Sequence, residues 1–481
     1  MDHLEYLDNG QIAAVRGGDG IVKVIAGPGS GKTRIITHRI AYLLTEKKAA
    51  PGAVLAMTYT RKATQTMQAR LNKLSGAAAS EVGVKTIHSL CLKIAREEGL
   101  VPGYRVLSDY EANSILKDIL KEQKPGIDLE NARQSIRGMK NCLITAEEAR
   151  VLNPEVARIY TAYERKKRQA NGIDYEDMLL TVFNLFSTRH TAREKYAERY
   201  QYILIDEAQD ISKAQFEIIK LLIAPHYNLF VVCDPNQAIY GWRGANGSIA
   251  RLQNDYPEMK EFALTTNYRH GENIIRASNN LIRHNYDALS IQPVPAPGTV
   301  PGEVLVIEAK TPEQEAYTTA KQIMRLKRKG ARLKDCAILV RANRQIPIYA
   351  RACAEVGIPC DCRANQKPAS SFQEKSLLKT IMDGIYRMFK PRESSLSWEN
   401  SPRPSARDRL NILTMHKAKG LEFDHVFVGG LTEGTFPDTR KDPDIEEERR
   451  ICYVAMTRAK KSLYLGTATP SSRFAYEAFS A

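Results

Sequence analysis

The sequence predicts an α/β protein built on two parallel-sheet domains, with a helical insertion in the first. Three observations predict it. Short aliphatic and β-branched runs recur between helix-patterned segments in two series, the first at 21–26, 54–59, 84–88, 202–206, 229–233 and 261–265. The second series lies at 303–308, 336–341, 411–415, 425–430 and 463–467. Such alternation buries each strand between helices on both faces of a sheet. A proline-rich stretch from Pro293 to Pro301 separates the two series. From 91 to 173 the strand runs vanish and charged amphipathic helices take over, ending in Tyr163-Glu164-Arg165-Lys166-Lys167-Arg168.

Bulk properties narrow the function. A chain of 481 residues is too long for one core, and at roughly 100–200 residues per domain it holds about three or four structural units. Its 43% hydrophobic and 26% charged residues are those of an ordinary soluble protein, and no apolar run approaches the ~20 residues of a spanning helix. Residues 1–20 show acids early and no apolar core, so no secretory signal is read, no membrane partner is expected, and the expected location is the cytoplasm. A net charge of +15 favours a polyanion, because Lys and Arg that neutralise phosphates release condensed counterions. Eight scattered cysteines lack the paired spacing of zinc or iron–sulfur ligands, and the loose group Cys353, Cys360 and Cys362 is read as thiols.

The first strand, Ile21 to Ala26, runs into Gly27-Pro28-Gly29-Ser30-Gly31-Lys32-Thr33 and then a helix. Glycines there let backbone N–H groups point at phosphate oxygens, Lys32 supplies charge to the β and γ phosphates, and the Thr33 hydroxyl can ligate Mg²⁺. The expected ligands are therefore a nucleoside triphosphate, which the resemblance given below makes ATP, and Mg²⁺. The strand Tyr202-Ile203-Leu204-Ile205 ends in Asp206-Glu207-Ala208-Gln209-Asp210. Two carboxylates thus reach the carboxyl edge of the sheet, Asp206 to hold Mg²⁺ and Glu207 to take a proton from the attacking water.

A further strand leads into Cys233-Asp234-Pro235-Asn236-Gln237-Ala238-Ile239-Tyr240-Gly241-Trp242-Arg243-Gly244. Gln237 can sense the γ-phosphate or the water, while Tyr240 and Trp242 offer faces for unpaired bases, each stack being worth about 1–3 kcal/mol.

At this point the residues resemble the UvrD/Rep group of superfamily 1 DNA helicases, ATP-driven motors that move 3′ to 5′ on single-stranded DNA. The resemblance runs through nearly the whole chain. It implies two RecA-like P-loop motor domains, the first at 1–90 and 174–275, a helical insertion at 91–173, and the second at 276–481. Leu7-Asp8-Asn9-Gly10-Gln11 is similar to the family's adenine-reading segment, which implies that Gln11 bonds the base and that Arg34 and Tyr268 lie against it. Thr58-Tyr59-Thr60-Arg61-Lys62-Ala63, Thr86-Ile87-His88 and Asp174-Tyr175-Glu176-Asp177 resemble DNA-contacting segments. That implies DNA roles for Thr58, Tyr59, His88 and Tyr175, beside Tyr240, Trp242 and Arg243.

Asn267-Tyr268-Arg269 places Arg269 at a family arginine that reaches the γ-phosphate. Thr414-Met415-His416-Lys417-Ala418-Lys419-Gly420-Leu421-Glu422 resembles the segment linking nucleotide to DNA, which implies DNA roles for Thr414 and His416 and a nucleotide role for Glu422. In Glu447-Glu448-Arg449-Arg450-Ile451-Cys452-Tyr453-Val454-Ala455-Met456-Thr457-Arg458-Ala459, the last arginine matches the family's arginine finger.

Departures from the family pattern are also visible. Tyr59 and Tyr175 stand where Phe is usual. The large helical insertion of the second domain is replaced by a short polar connection at 391–408, and the chain ends soon after Ser471-Ser472-Arg473-Phe474. The expected partners are single-stranded DNA and its junctions with duplex, with an accessory or loading protein, and the expected state is a monomer. Two rival readings remain: a nucleotide-switched binding or assembly factor, and the motor subunit of a helicase–nuclease.

Overall fold

The computed structural model describes residues 4–241, 244–245, 247–286, 292–362, 408–438 and 444–480. The fold class holds: two six-stranded parallel sheets organise two compact units. The first unit comprises Met1–Gly302, Asp442–Thr457 and Glu477–Ala481, and the second Glu303–Lys441 and Arg458–Tyr476.

In the first unit, β1 (Ile21–Ala26), β2 (Val54–Thr58), β3 (Gly83–Thr86), β4 (Tyr202–Ile205), β5 (Leu229–Cys233) and β6 (Lys260–Leu264) assemble in the order β3-β2-β4-β5-β1-β6. Every pairing is parallel. Because side chains alternate along a strand, Ile21, Ile25, Leu55, Met57, Ile203 and Ile205 join one core. Their neighbours Val22, Val24, Val54, Ala56 and Leu204 join another on the opposite face. Helices cover both faces, so β1 and β5 are buried along their whole length.

The helices of this unit that bear on function are α1 (Asn9–Val15), α2 (Lys32–Thr45), α3 (Arg61–Ser75), α4 (Ile87–Glu97), α5 (Asp109–Gln123), α6 (Leu129–Asn141), α7 (Ala149–Leu152), α8 (Pro154–Gln169) and α9 (Tyr175–Thr188). Helices α5 to α8 form the insertion around a small core of their own, including Leu116, Ile119, Ile136, Val156, Ile159, Tyr160 and Tyr163. Contrary to the expectation that strands vanish there, Arg105–Val106 and Gly172–Ile173 pair in parallel. Two residues per strand are too few to show a periodicity in sequence.

The unit boundary also differs from the expected start of a second domain at 276, since the first unit runs to Gly302 and takes back 442–457. Side-chain pairing explains the return. Within this unit the helix Ile445–Met456 carries Arg449, whose guanidinium donates to both Glu477 oxygens at 2.8 and 2.9 Å and to Asn285 Oδ1 at 2.6 Å.

The second unit contains β7 (Glu303–Ala309), β8 (Cys336–Val340), β9 (Cys360–Asp361), β10 (Leu410–Thr414), β11 (Phe423–Val428) and β12 (Ala459–Ala468), in the order β7-β12-β11-β8-β10-β9. Its core gathers Ile338, Val340, Ile412 and a parallel stack of Phe427 on Tyr464, with ring centroids 4.3 Å apart. The expected connection at 391–408 falls, up to residue 407, outside the described residues, as do Trp242 and Arg243. All eight cysteines are free thiols. Among the described residues no helix is long and apolar enough to cross a membrane.

Candidate nucleotide and nucleic-acid sites

A parallel sheet presents all its strand ends at one edge, and the predicted residues of the first unit follow from that. The loop after β1 turns through Gly29 and Gly31, both with positive φ, where an L side chain is strained. At Gly29 a Cβ would also run into Asn267 Oδ1. Gly31 is the N-cap of α2 and contributes no side-chain cap, so the first-turn N–H groups and the helix dipole face the loop. Lys32 begins that helix, its ammonium 3.2 Å from Ala26 O and 3.6 Å from Asp234 Oδ2. Ser30 folds back onto Gly27 O, and Pro28 O accepts from Asn267 Nδ2 at 2.8 Å.

Thr33 Oγ1 donates to Asp206 Oδ2 at 3.0 Å, which joins α2 to the end of β4. Burial and then the charge of adjacent Glu207 push the Asp206 carboxyl up to about 7. Such a group gains from a cation beside it. Thr33 and Asp206 thus form a hydroxyl–carboxylate pair suited to a divalent ion, and the glycine loop with its open helix end suits a polyphosphate.

Glu207 takes a left-handed backbone, φ 54° and ψ 47°. That conformation is costly for a residue with a Cβ and clusters at functional sites. Its Oε2 accepts from Gln209 Nε2 at 2.6 Å, and Gln209 Oε1 accepts from Asp234 N at 3.0 Å. Asp234 Oδ2 in turn accepts from Gln237 Nε2 at 2.5 Å. A single network therefore connects Glu207, Gln209, Asp234, Gln237 and Lys32. Gln209 and Asp234 are the members that the sequence motifs do not single out, and their only local signals are places two residues beyond Glu207 and three before Gln237.

Gln11, expected to read the base, is buried, with Nε2 donating to Ser30 O at 2.9 Å and Oε1 accepting from Asp8 N at 3.3 Å. In this arrangement it braces the loop. Tyr268 donates to Asp8 Oδ2 at 2.5 Å, and Arg34 Nη2 donates to Tyr6 O at 2.5 Å, so both flank the start of α1. Arg269 follows Asn267, whose Oδ1 accepts from its N–H at 3.0 Å. Asn267 Nδ2 also donates to His270 Nδ1 at 2.9 Å, which leaves His270 Nε2 to donate to Thr457 O at 2.8 Å. That relay ties the end of β6 to the helix Ile445–Met456 within the first unit.

The described aromatic residues of the first unit that were expected to meet DNA occur in two pairs. Tyr59, just past β2, stacks on Tyr240 with centroids 5.3 Å apart and planes at 17°. His88 in the first turn of α4 meets Tyr175, the first residue of α9, edge-on at 5.9 Å. Thr58 Oγ1 shares a 2.7 Å hydrogen bond with Thr64 Oγ1 and sets the turn into α3. In the second unit, Thr414 N-caps a short helix, Met415–Ala418, that contains His416, and Glu422 pairs with Lys460 at 2.9 Å. Arg458 is buried at the start of β12, with Nη1 donating to Leu421 O at 3.4 Å.

Residues 7–257 match the UvrD/REP helicase N-terminal domain, and residues 262–400 and 373–469 match the UvrD-like helicase C-terminal domain. This chain belongs to the UvrD/REP helicase family. It is similar to the ATP-dependent DNA helicase PcrA of Staphylococcus epidermidis, with 30% identity covering 98% of this chain and 84% of that protein. PcrA of Staphylococcus aureus is 29% identical over the same shares. The alignment with the first spans 616 positions against 481 residues here. That relative therefore carries more than a hundred residues, inside the aligned stretch, that this member lacks. A nucleotide-using, DNA-binding helicase family accounts for both a phosphate loop and the paired aromatics.

Proposed function

We propose that this protein is an ATP-dependent 3′–5′ DNA helicase and single-stranded DNA translocase of replication, repair or recombination, working in the cytoplasm. One observation carries the reading: the phosphate loop after β1, the carboxylates after β4, and Tyr59 and His88 after β2 and β3 all lie at the carboxyl edge of one parallel sheet, where Tyr240 stacks on Tyr59 and Tyr175 meets His88.

In this reading Gly27 to Thr33 wrap the ATP phosphates, with Lys32 on the β and γ oxygens. Gln11, Arg34 and Tyr268 border the adenine, and Gln11 would have to exchange its present partners to reach the base. Thr33 and Asp206 hold Mg²⁺, which offsets phosphate charge as it builds up. Glu207, oriented by Gln209, takes the proton of the attacking water. Gln237 positions that water or the γ-phosphate, and Arg269 and Arg458 add charge to the transition state. Glu422 keeps the nucleotide role that the family resemblance implies.

The DNA track runs over Thr58, Tyr59, His88, Tyr175 and Tyr240, with Trp242, Arg243, Thr414 and His416. Stacking faces grip bases whatever their identity, which suits a motor that steps along any sequence. The two units serve as RecA-like motor domains, and we place the missing length of chain at 391–408. Translocation then survives, while processive unwinding depends on an accessory or loading protein at single-strand/duplex junctions. The active species is a monomer.

Steady-state ATPase with and without single-stranded DNA tests the reading. Strong stimulation is expected. Turnover indifferent to DNA would favour a nucleotide-switched assembly factor instead.

A further inference from the structure

Beneath the Tyr175–His88 pair lies a buried charge cluster that neither the phosphate chemistry nor the stacking faces use. Lys140, the penultimate residue of α6, is fully buried, and its ammonium lies 2.6 Å from Glu164 Oε1, 2.7 Å from Asp174 Oδ2 and 2.6 Å from Asp177 Oδ1. Lys167 of α8 meets the same three carboxylates, at 2.8 Å from Glu164 and 2.9 Å from Asp174, and pairs with Asp177 Oδ2. Tyr163 lies under both ammonium groups, at 5.5 and 4.8 Å. The three acids lie close enough together to suggest a metal site. Two ammonium groups already fill the space between them.

Asp174 and Asp177 do a second job. Asp174 is the N-cap of α9, accepting from Asp177 N at 2.9 Å, while Asp177 accepts from Asp174 N at 2.8 Å. Tyr175 is the first residue inside that capping box. Its other neighbour, Glu176, lies 3.6 Å from Arg137 of α6. Every flanking acid of Tyr175 is thus held by the insertion, while Tyr175 itself stays 40% exposed. The same end of α6 also borders the second aromatic loop, since a Cβ at Gly244 would lie 3.1 Å from Cys142 Sγ.

Burial works against ionised Asp174, yet the two ammonium groups outweigh it and hold the carboxyl well below its usual range. The carboxylates likewise hold Lys140 above its own. A buried pair of this kind is poor at adding net stability compared with apolar packing, and its best-attested use is to fix geometry.

We infer that Lys140 and Lys167 are positioning residues that clamp the start of α9 and hold Tyr175 against His88, so that the helical insertion sets the grip on single-stranded DNA. The inference rests on Tyr175 being a stacking face.

The test is the oligo-dT concentration giving half-maximal ATPase stimulation, measured beside ATP-only turnover and thermal midpoint, for Lys140→Met, Lys167→Met, Tyr175→Ala and the double variant Lys140→Met/Tyr175→Ala. Either lysine variant should raise that concentration at least fivefold with ATP-only turnover within twofold. In the double variant Lys140→Met should add nothing to the effect of Tyr175→Ala on DNA, although the midpoint still falls, because coupled residues are non-additive. Additive effects would overturn the inference, as would lysine variants that bind DNA normally while Tyr175→Ala does not. If Tyr175→Ala itself binds DNA normally, the stacking role fails and the clamp with it. Should both lysine variants fail to fold, Arg137→Met releases Glu176 at a partly exposed site, while Asp109, its other partner, keeps Arg133. A two- to threefold rise absent from the Tyr175→Ala background supports the clamp, and no rise contradicts it.

Discussion

Thr33 Oγ1 donates to Asp206 Oδ2 at 3.0 Å, joining the first turn of α2 to the residue just past β4. The two residues are 173 positions apart, and β1 and β4 are separated in the sheet by β5. A strand at each side and a helix end between them bring hydroxyl and carboxylate to one point at the sheet edge. The catalytic predictions start from that point.

Glu207 is held in a left-handed conformation with Oε2 bonded to Gln209. Glu207→Gln keeps the shape and removes the base. Turnover should fall by about 10²–10⁴-fold, with nucleotide affinity little changed. Fluorescent-nucleotide titration beside steady-state ATPase checks this, and equal loss of both would remove Glu207 from the proton-transfer step.

Gly29→Ala should be more damaging than its size suggests. The φ of +81° costs an L residue roughly 1–2 kcal/mol, and the new Cβ collides with Asn267, which also bonds Pro28 O and His270. Nucleotide affinity should drop at least about tenfold, the equivalent of that strain, and the same titration reads it.

How much of the fold and the site is legible in sequence follows from separation along the chain. Strand runs and the glycine loop are local patterns, and they point directly to Lys32, Thr33, Asp206 and Glu207. Pairings over long separations leave no such trace. Arg449 finds Asn285 from 164 residues away, and His270 finds Thr457 from 187. Nothing in the periodicity of the helix Ile445–Met456 says that it returns to the first unit. Lys140 and Lys167 read as solvated charge on amphipathic helices, because a buried ammonium differs from an exposed one only in what the fold brings near it. Gln11 matches a base-reading pattern, yet the local capping box with Asp8 and the carbonyl of Ser30 take up its amide.

Tyr240 lies against Tyr59 as a parallel stack. Tyr240→Ala removes one face of that pair and should weaken single-stranded DNA binding by about 1–3 kcal/mol. DNA-stimulated turnover should suffer more than ATP-only turnover. Fluorescence anisotropy with a labelled oligonucleotide measures the first effect, and an unchanged affinity would take Tyr240 off the DNA track. Trp242→Ala should show the same asymmetry.

A pH-dependent prediction concerns the second unit. Burial pushes Glu315 up to about 7, although Tyr349 and Thr319 hydroxyls and the Gly430 N–H all donate to it. A carboxyl raised in the folded state contributes stability at acid pH that is lost as pH rises from 4.5 through about 7. Tyr349→Phe withdraws a donor from the ionised form and should cost about 1–3 kcal/mol. The loss should be larger near pH 8 than near about pH 5.5. Chemical denaturation at both values checks the sign, and an equal cost at the two would show that Glu315 is not ionising in this range.

The central claim is that ATP turnover at one end of the sheet drives directed movement on single-stranded DNA. Unwinding of otherwise identical duplexes carrying a 3′ or a 5′ single-stranded tail tests it most directly. ATP-dependent strand separation from the 3′-tailed duplex alone, abolished by Lys32→Ala, is the predicted result. Separation from the 5′ tail, or separation that survives in the Lys32 variant, would contradict it.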